Sequence, residues 1–95
     1  MEKLEEMEFE YNKNVITRTV GDTTLAYNQS NGDMYELNDI GAEILMYLSK
    51  EMSMNAILDK LCQDYDVVLN DIYEDVNQII SRMIELKVIE KVNKE

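Results

Sequence analysis

The sequence of 95 residues contains no histidine, no proline and no tryptophan, and its only cysteine is Cys62. Without histidine, the commonest general base of enzymes is absent. One cysteine without histidine supplies no thiolate or imidazole zinc site. There is no glycine-rich phosphate loop either, since the chain holds three scattered glycines. These absences argue against an enzyme, and we expect no catalytic residues, no metal and no cofactor.

Long hydrophobic runs are also missing. No apolar stretch approaches the roughly 20 residues that a membrane helix needs, and the acidic N-terminus lacks a hydrophobic signal region. A lone cysteine forms no internal disulfide, which fits a reducing compartment. We therefore expect a cytoplasmic protein without a membrane partner. Hydrophobic residues make up 45% of the chain, which is enough for one core in one domain of this length.

Positive charge is scarce. The chain has 20 acidic and 9 basic residues, giving a formal net charge of −11. That charge repels nucleic acid phosphates and anionic membranes, and it attracts a basic partner. Solubility alone explains the acidity equally well, so the charge by itself leaves both interpretations open.

Three short β-rich segments cover residues 14–20, 23–28 and 33–37. Gly21-Asp22 and Asn31-Gly32 separate them, and both dipeptides favour tight turns. The pattern predicts a three-stranded antiparallel meander. Tyr35 and Leu37 lie two apart and therefore share one face of the third strand, which we expect to face the core.

The remainder has helical periodicity. We expect a first helix over 38–49 capped by Asn38, and a second helix capped by Ser53 that ends near residues 64–66. Asp71 and Glu74 have capping-box spacing and predict a third helix over 71–86. The fold class is thus α+β and winged helix-turn-helix-like: a three-stranded antiparallel β-meander followed by three α-helices. We expect residues 1–13 to form an acidic, partly disordered tail and residues 14–95 to form the domain.

The third predicted helix has an unusually broad apolar surface. Its predicted core stripe has residues spaced four, three, four and three apart: Ile72, Val76, Ile79, Met83 and Leu86. Tyr73, Ile80 and Ile84 lie beside this stripe, either as a wide core face or as the wall of a groove. A helix-turn-helix suggests nucleic acid binding. However, residues 71–86 hold four acids and one base, Arg82, and a recognition helix of that sign repels a DNA groove.

Several short motifs lie along the chain: Tyr35-x-Leu37-Asn38 followed by Gly41-x-x-Ile44, Ile57 and Leu61 before Tyr65-Asp66, Asp75-Val76, and Leu86 with Val88-Ile89-Glu90. Together these motifs resemble the PQQ-synthesis protein D family. The resemblance covers about residues 14–92. Two departures are visible, because the family often has glycine after the first and the last helix. This chain has Ser49-Lys50-Glu51 and Lys87 there.

This family is also called the recognition element of ribosomally made, post-translationally modified peptides. The resemblance implies a non-catalytic adaptor that binds the leader of a precursor peptide and presents it to a modifying enzyme, often a radical SAM protein. It implies that the leader adds as a strand beside the third strand, against the third helix. The candidate peptide-binding residues are Asp33, Met34, Tyr35, Glu36, Tyr73, Val76, Asn77, Ile80 and Ile84.

The net charge leads us to expect lysine or arginine in that leader. Two alternatives belong to other classes. One is a degenerate winged-helix regulator that binds DNA or another protein, and the other is an acidic structural subunit. A DNA reader should have a basic stripe on the third helix, whereas an adaptor needs none.

Overall fold

The computed structural model describes residues 3–92. A short 3₁₀ helix, Leu4–Glu6, precedes all other elements. The strands are β1 (Phe9–Tyr11), β2 (Val15–Val20), β3 (Thr23–Asn28), β4 (Met34–Leu37) and β5 (Ile89–Lys91), and the helices are α1 (Asp39–Ser49), α2 (Met54–Tyr65) and α3 (Leu69–Glu85). The fold is mixed α+β, with antiparallel strands followed by three helices, as the sequence predicts.

The predicted meander is the sheet β2-β3-β4, in which both pairs are antiparallel. Ala26 pairs with Tyr35, and Thr24 pairs with Leu37. Because side chains alternate across a strand, these residues share the inner face, where Ala26 and Leu37 are buried. The inner face packs towards α1, and β4 lies at an edge of the sheet.

The turn between β3 and β4 fixes where β4 begins. Gly32 has a φ of 81°, a left-handed conformation that glycine adopts without strain. The Asn28 carbonyl accepts from the Gly32 N–H at 2.8 Å, and the Asn31 side-chain oxygen accepts from the Asp33 N–H at 2.9 Å. The Asn-Gly turn that the sequence indicates therefore sets the register of β4.

The N-terminal segment corrects the expectation of a partly disordered tail. Leu4 is 2% exposed and Phe9 is 8% exposed, and β1 pairs with β5 in a second, two-stranded sheet. The prediction is wrong for residues 4–11, because burial of these apolar side chains outweighs the acidic composition around them. Met1 and Glu2 lie outside the described residues.

The helix caps are as predicted for two helices of three. Asn38 accepts from the Gly41 N–H at 2.7 Å, and Ser53 accepts from the Ala56 N–H at 3.2 Å. The third helix, however, begins at Leu69, and no side chain caps it. Asp71 was the predicted cap but does not act as one. It lies within the first turn, where its N–H donates to the Val68 carbonyl at 3.0 Å.

The two loops in which the family often has glycine adopt backbone conformations that favour glycine. Glu51 has a φ of 63° and Lys87 a φ of 61°. Both lie in the left-handed region, which costs a non-glycine residue about 1–2 kcal/mol. The loops thus keep a glycine-like shape without the glycine.

The core lies between the helices and the inner faces of both sheets. Its fully buried side chains come from all three helices and from both termini of the described chain. They are Leu4, Ile44, Leu45, Met54, Ile57, Leu61, Val76, Met83 and Ile89. None of the helices described between residues 3 and 92 is long and apolar enough to cross a membrane.

Candidate functional site

The outer edge of β4 carries backbone groups that no other described strand pairs with, because β4 has β3 on one side only. The Asn28 N–H donates to the Asp33 carbonyl at 2.9 Å. In an antiparallel pair the direction of the backbone groups alternates from residue to residue. The polar groups of Tyr35 and Leu37 therefore point to β3, and those of Met34 and Glu36 point to the free edge.

A cleft of about 380 Å³ lies between β4 and α3. Tyr35 forms its wall on the strand side, and Ile79 forms its wall on the helix side. Asn38, the cap of α1, and Ile40 in its first turn also line the cleft. A strand placed beside β4 would therefore have its inward side chains directly over this cleft.

Gly41 allows the cleft wall to be built at close range. A Cβ at this position would lie 3.0 Å from the Asn38 Oδ1 atom, 3.6 Å from Leu37 Cδ2 and 3.7 Å from Ile79 Cγ2. Glycine thus lets the end of β4, the cap of α1 and the face of α3 approach one another. In the sequence motif, Asn38 caps α1 and Gly41 leaves space for the contacts between these three elements.

The rim of the cleft on α3 is polar. Asp75, Gln78 and Arg82 line it together with Ile79, at spacings that place them on one face of a helix. Arg82 Nη1 also lies 3.2 Å from Glu85 Oε1 in an exposed ion pair. The cleft therefore combines the apolar side chains of Ile40 and Ile79 with one acidic and one basic group.

The predicted site residues on the third helix are not at this cleft. Val76 is 0% exposed and Ile80 is 2% exposed, so their placement on an open groove wall is wrong. The predicted core stripe is confirmed at Ile72, Val76 and Met83, which are buried, whereas Ile79 is only partly buried. The reason is that the buried face of α3 includes Ile80 at full depth, while Ile79 lies at the margin of that face and lines the cleft.

Tyr73 lies on the other flank of α3, against the N-terminal segment. Its hydroxyl oxygen accepts from the Leu4 N–H at 2.8 Å, and its O–H donates to Glu5 Oε1 at 3.1 Å. Asn77 and Ile84 share this flank by helical spacing. The structure thus brings Met34, Tyr35 and Glu36 together on β4, with Asp33 directly before the strand, and separates them from the five candidates on α3.

Six of the residues that line the cleft are not among the site residues predicted from the sequence: Asn38, Ile40, Asp75, Gln78, Ile79 and Arg82. One signal was present in the sequence. Arg82 is the single base of the third helix and lies seven residues after Asp75, which puts both on one face. The periodicity alone did not distinguish the two flanks, since each carries an isoleucine.

An acidic cluster lies where α1 approaches the end of α2. Glu43 Oε2 is buried without a hydrogen-bond partner among the described residues. Burial, with the Asp64 and Asp39 carboxylates nearby, raises the pKa of Glu43. The Tyr47 O–H donates to Asp64 Oδ2 at 3.1 Å. Within residues 3–92 no group of His, Cys, Asp or Glu is arranged to hold a metal ion.

The sequence profile of a known family, described as coenzyme PQQ synthesis protein D (PqqD), matches residues 23–89. The matched part runs from β3 into β5 and contains the whole cleft. The chain belongs to the PqqD family. A search of curated proteins finds no match.

Two solved structures share the fold of this PqqD family member. One is TbiB1 in complex with the TbiA(beta) leader peptide, which is 16% identical with a TM-score of 0.77. The other is a lasso peptide synthetase B1 complexed with the leader peptide, which is 19% identical with a TM-score of 0.72. Each match covers 90% of this chain and 99% of the other.

Proposed function

We propose that this PqqD family member is a non-catalytic adaptor that binds the leader segment of a ribosomally synthesised precursor peptide. The leader pairs with the free edge of β4 as an added strand, and its inward side chains enter the cleft between β4 and α3. The observation that carries the proposal is the juxtaposition of an unpaired strand edge with a cleft that both apolar and charged side chains line.

Strand addition fits the exposed edge on physical grounds. Unpaired edges are a liability that proteins usually cover or blunt, and a bound peptide supplies the missing hydrogen-bond partners. Met34 and Glu36 offer backbone groups to the added strand. Tyr35, Ile40 and Ile79 line the cleft and offer apolar contact to the inward side chain of the leader residue opposite Tyr35. Both solved neighbours are complexes with leader peptides, which supports the same class of ligand here.

The charge of the chain supports a basic leader. At −11, the protein attracts lysine and arginine and speeds their encounter at low salt. Asp75 on the cleft rim and Glu36 on the strand edge are acids at the site itself. We therefore include basic residues in the proposed ligand.

The second partner is a modifying enzyme, for which the family resemblance suggests a radical SAM protein. The chain contributes no histidine and no glycine-rich phosphate loop, so the chemistry is assigned to that enzyme. Purified protein incubated alone with a precursor peptide should leave its mass unchanged. A mass shift in the absence of any other enzyme would contradict the adaptor role.

We also propose that α2, α3 and the β1–β5 ribbon form a winged helix-turn-helix arrangement without nucleic acid binding. The two helices are joined by three residues, 66–68, and β5, one strand of the ribbon, follows α3 as part of a wing. Four acids against one base over residues 71–86 weigh against the alternative of a DNA-binding regulator.

Peptide selection tests the proposal directly. A display library of random linear peptides is selected on the immobilised protein, and enriched peptides are titrated by fluorescence anisotropy. Enrichment of a sequence family that binds stoichiometrically is expected. A random duplex DNA of 30 base pairs serves as the comparison ligand, and preferential binding of that duplex would contradict the proposal.

A further inference from the structure

The outer face of the sheet carries a row of apolar side chains that ends at the free edge of β4. Ile16 pairs with Tyr27, and Tyr27 pairs with Met34, so the three side chains cross the sheet side by side. They are 38%, 37% and 66% exposed, respectively. Exposure is thus largest at the edge at which the leader is proposed to bind.

These side chains form one wall of a shallow depression of about 400 Å³. Leu25 and Arg18 also line it. A depression lined mostly by apolar groups on an otherwise strongly acidic protein favours contact with an apolar side chain. Nothing in residues 3–92 covers Met34, whose exposed fraction is the largest among the big apolar side chains described.

A second row runs parallel to the first. Arg18 pairs with Leu25, and Leu25 pairs with Glu36. The backbones of the two charged residues are therefore two strand spacings apart, about 10 Å. Within the described part of the chain Glu36 makes no ion pair. On its row, Glu36 has Leu25 as a neighbour on one side and the free edge of β4 on the other.

A strand added to β4 extends both rows by one residue each. Residues directly opposite one another in paired strands have Cβ atoms about 5 Å apart, close enough to interact. The residue opposite Met34 and the residue opposite Glu36 are two apart and lie on the same outer face. The residue between them points to the cleft instead.

We infer that Met34 and Glu36 select the leader through its outward side chains: an apolar residue beside Met34 and a basic residue beside Glu36, separated by one residue. This inference rests on the proposed strand addition and specifies its ligand. Antiparallel addition, the direction of both pairs in this sheet, gives the order basic–x–apolar, and parallel addition gives the reverse. The selected order therefore also reports the strand direction.

Charge exchange across the strand pair tests the inference. The probe is the tightest peptide from the display library, together with a variant in which its outward basic residue is replaced by glutamate. Each is titrated against wild type and Glu36→Lys. Wild type should bind the glutamate peptide about fivefold more weakly, and Glu36→Lys should reverse this preference, as expected for an opposite-charge cross-strand pair.

Asp59→Lys is the matched control, since Asp59 is exposed on α2 and the substitution changes the net charge equally. If Glu36→Lys and Asp59→Lys change the affinities of both peptides alike, the effect is general electrostatics and the inference is overturned. Met34→Ala should weaken binding of peptides with an outward apolar residue about fivefold. An unchanged affinity for these peptides would overturn the inference that Met34 selects an apolar residue.

Failure of the inference is distinguishable from failure of the proposed function. If no peptide family is enriched on wild type, both the inference and the proposed peptide-binding function are contradicted. A different outcome is that enriched peptides slow the exchange of the Met34 and Glu36 amide hydrogens, but Glu36→Lys does not reverse the preference between the two peptides. Strand addition is then supported, and selection through the outward side chains is contradicted.

Discussion

Three isoleucines on α3 allow one chemical change to be made in three environments. Ile79 lines the cleft and is partly buried, Ile80 is 2% exposed in the core, and Ile84 is 39% exposed on the opposite flank. Replacing each with alanine removes the same three side-chain carbons. The series therefore separates peptide binding from core stability.

The expected magnitudes follow from these environments. Ile80→Ala should lower the free energy of unfolding by about 3 kcal/mol, the middle of the range for a buried Ile-to-Ala change. In a domain of this size that is a fall in melting temperature of about 15 °C. Ile79→Ala should cost about 1 kcal/mol in stability, because the side chain is already partly in water.

Binding should show a different order. A leader side chain in the cleft buries what remains exposed of Ile79, so Ile79→Ala should lose about 1.4 kcal/mol of binding free energy, at roughly 0.8 kcal/mol for each buried methylene. That is about tenfold in affinity. Ile80→Ala, measured below its melting temperature, and Ile84→Ala should each stay within about twofold of wild type.

The assays are thermal melts followed by circular dichroism and anisotropy titrations with the selected peptide. A larger binding loss for Ile84→Ala than for Ile79→Ala would place the groove on the opposite flank of α3, where the sequence pattern predicts it. Equal destabilisation by Ile79→Ala and Ile80→Ala would contradict the orientation of α3.

Three further predictions concern charge and backbone. Raising the salt from low ionic strength to about 0.5 M should weaken leader binding, since it shortens the Debye length well below 8 Å; a flat titration would mean an apolar interaction. Glu43→Gln should stabilise the fold at neutral pH, because the raised pKa of Glu43 means that the folded state favours the protonated form. That advantage should shrink as the pH falls through the folded and then the unfolded pKa, since the wild-type carboxyl becomes protonated, and a constant difference in melts between pH 7 and pH 4 would contradict this. Lys87→Gly should raise the melting temperature by a few degrees, since φ is 61° there and glycine removes the left-handed strain; a lower melting temperature would contradict the strain.

Local signals in the sequence predicted much of the fold. The Asn31-Gly32 turn, the cap at Asn38 and the cap at Ser53 are each encoded by a few adjacent residues, and all three are confirmed. β1 was missed because three residues amid glutamates carry no pattern of their own. That strand exists because Phe9 and the far end of the chain meet in three dimensions.

The site was predicted in part, for a physical reason. The strand side of the cleft depends on alternation, which Tyr35 and Leu37 display plainly. The helix side depends on the rotation of α3, and an error of one residue turns the surface by about a quarter of a turn. What fixes the rotation is long-range: Tyr73 bonds to the N-terminal segment, and Ile79 approaches Gly41.

Amide hydrogen exchange of the β4 backbone tests the central claim most directly. The Met34 and Glu36 N–H groups point to the free edge, so in the unbound protein they should exchange fast. Saturation with the selected leader peptide should slow both amides by at least tenfold, because an added strand accepts hydrogen bonds from them. Tight binding that leaves both exchange rates unchanged would contradict strand addition at β4.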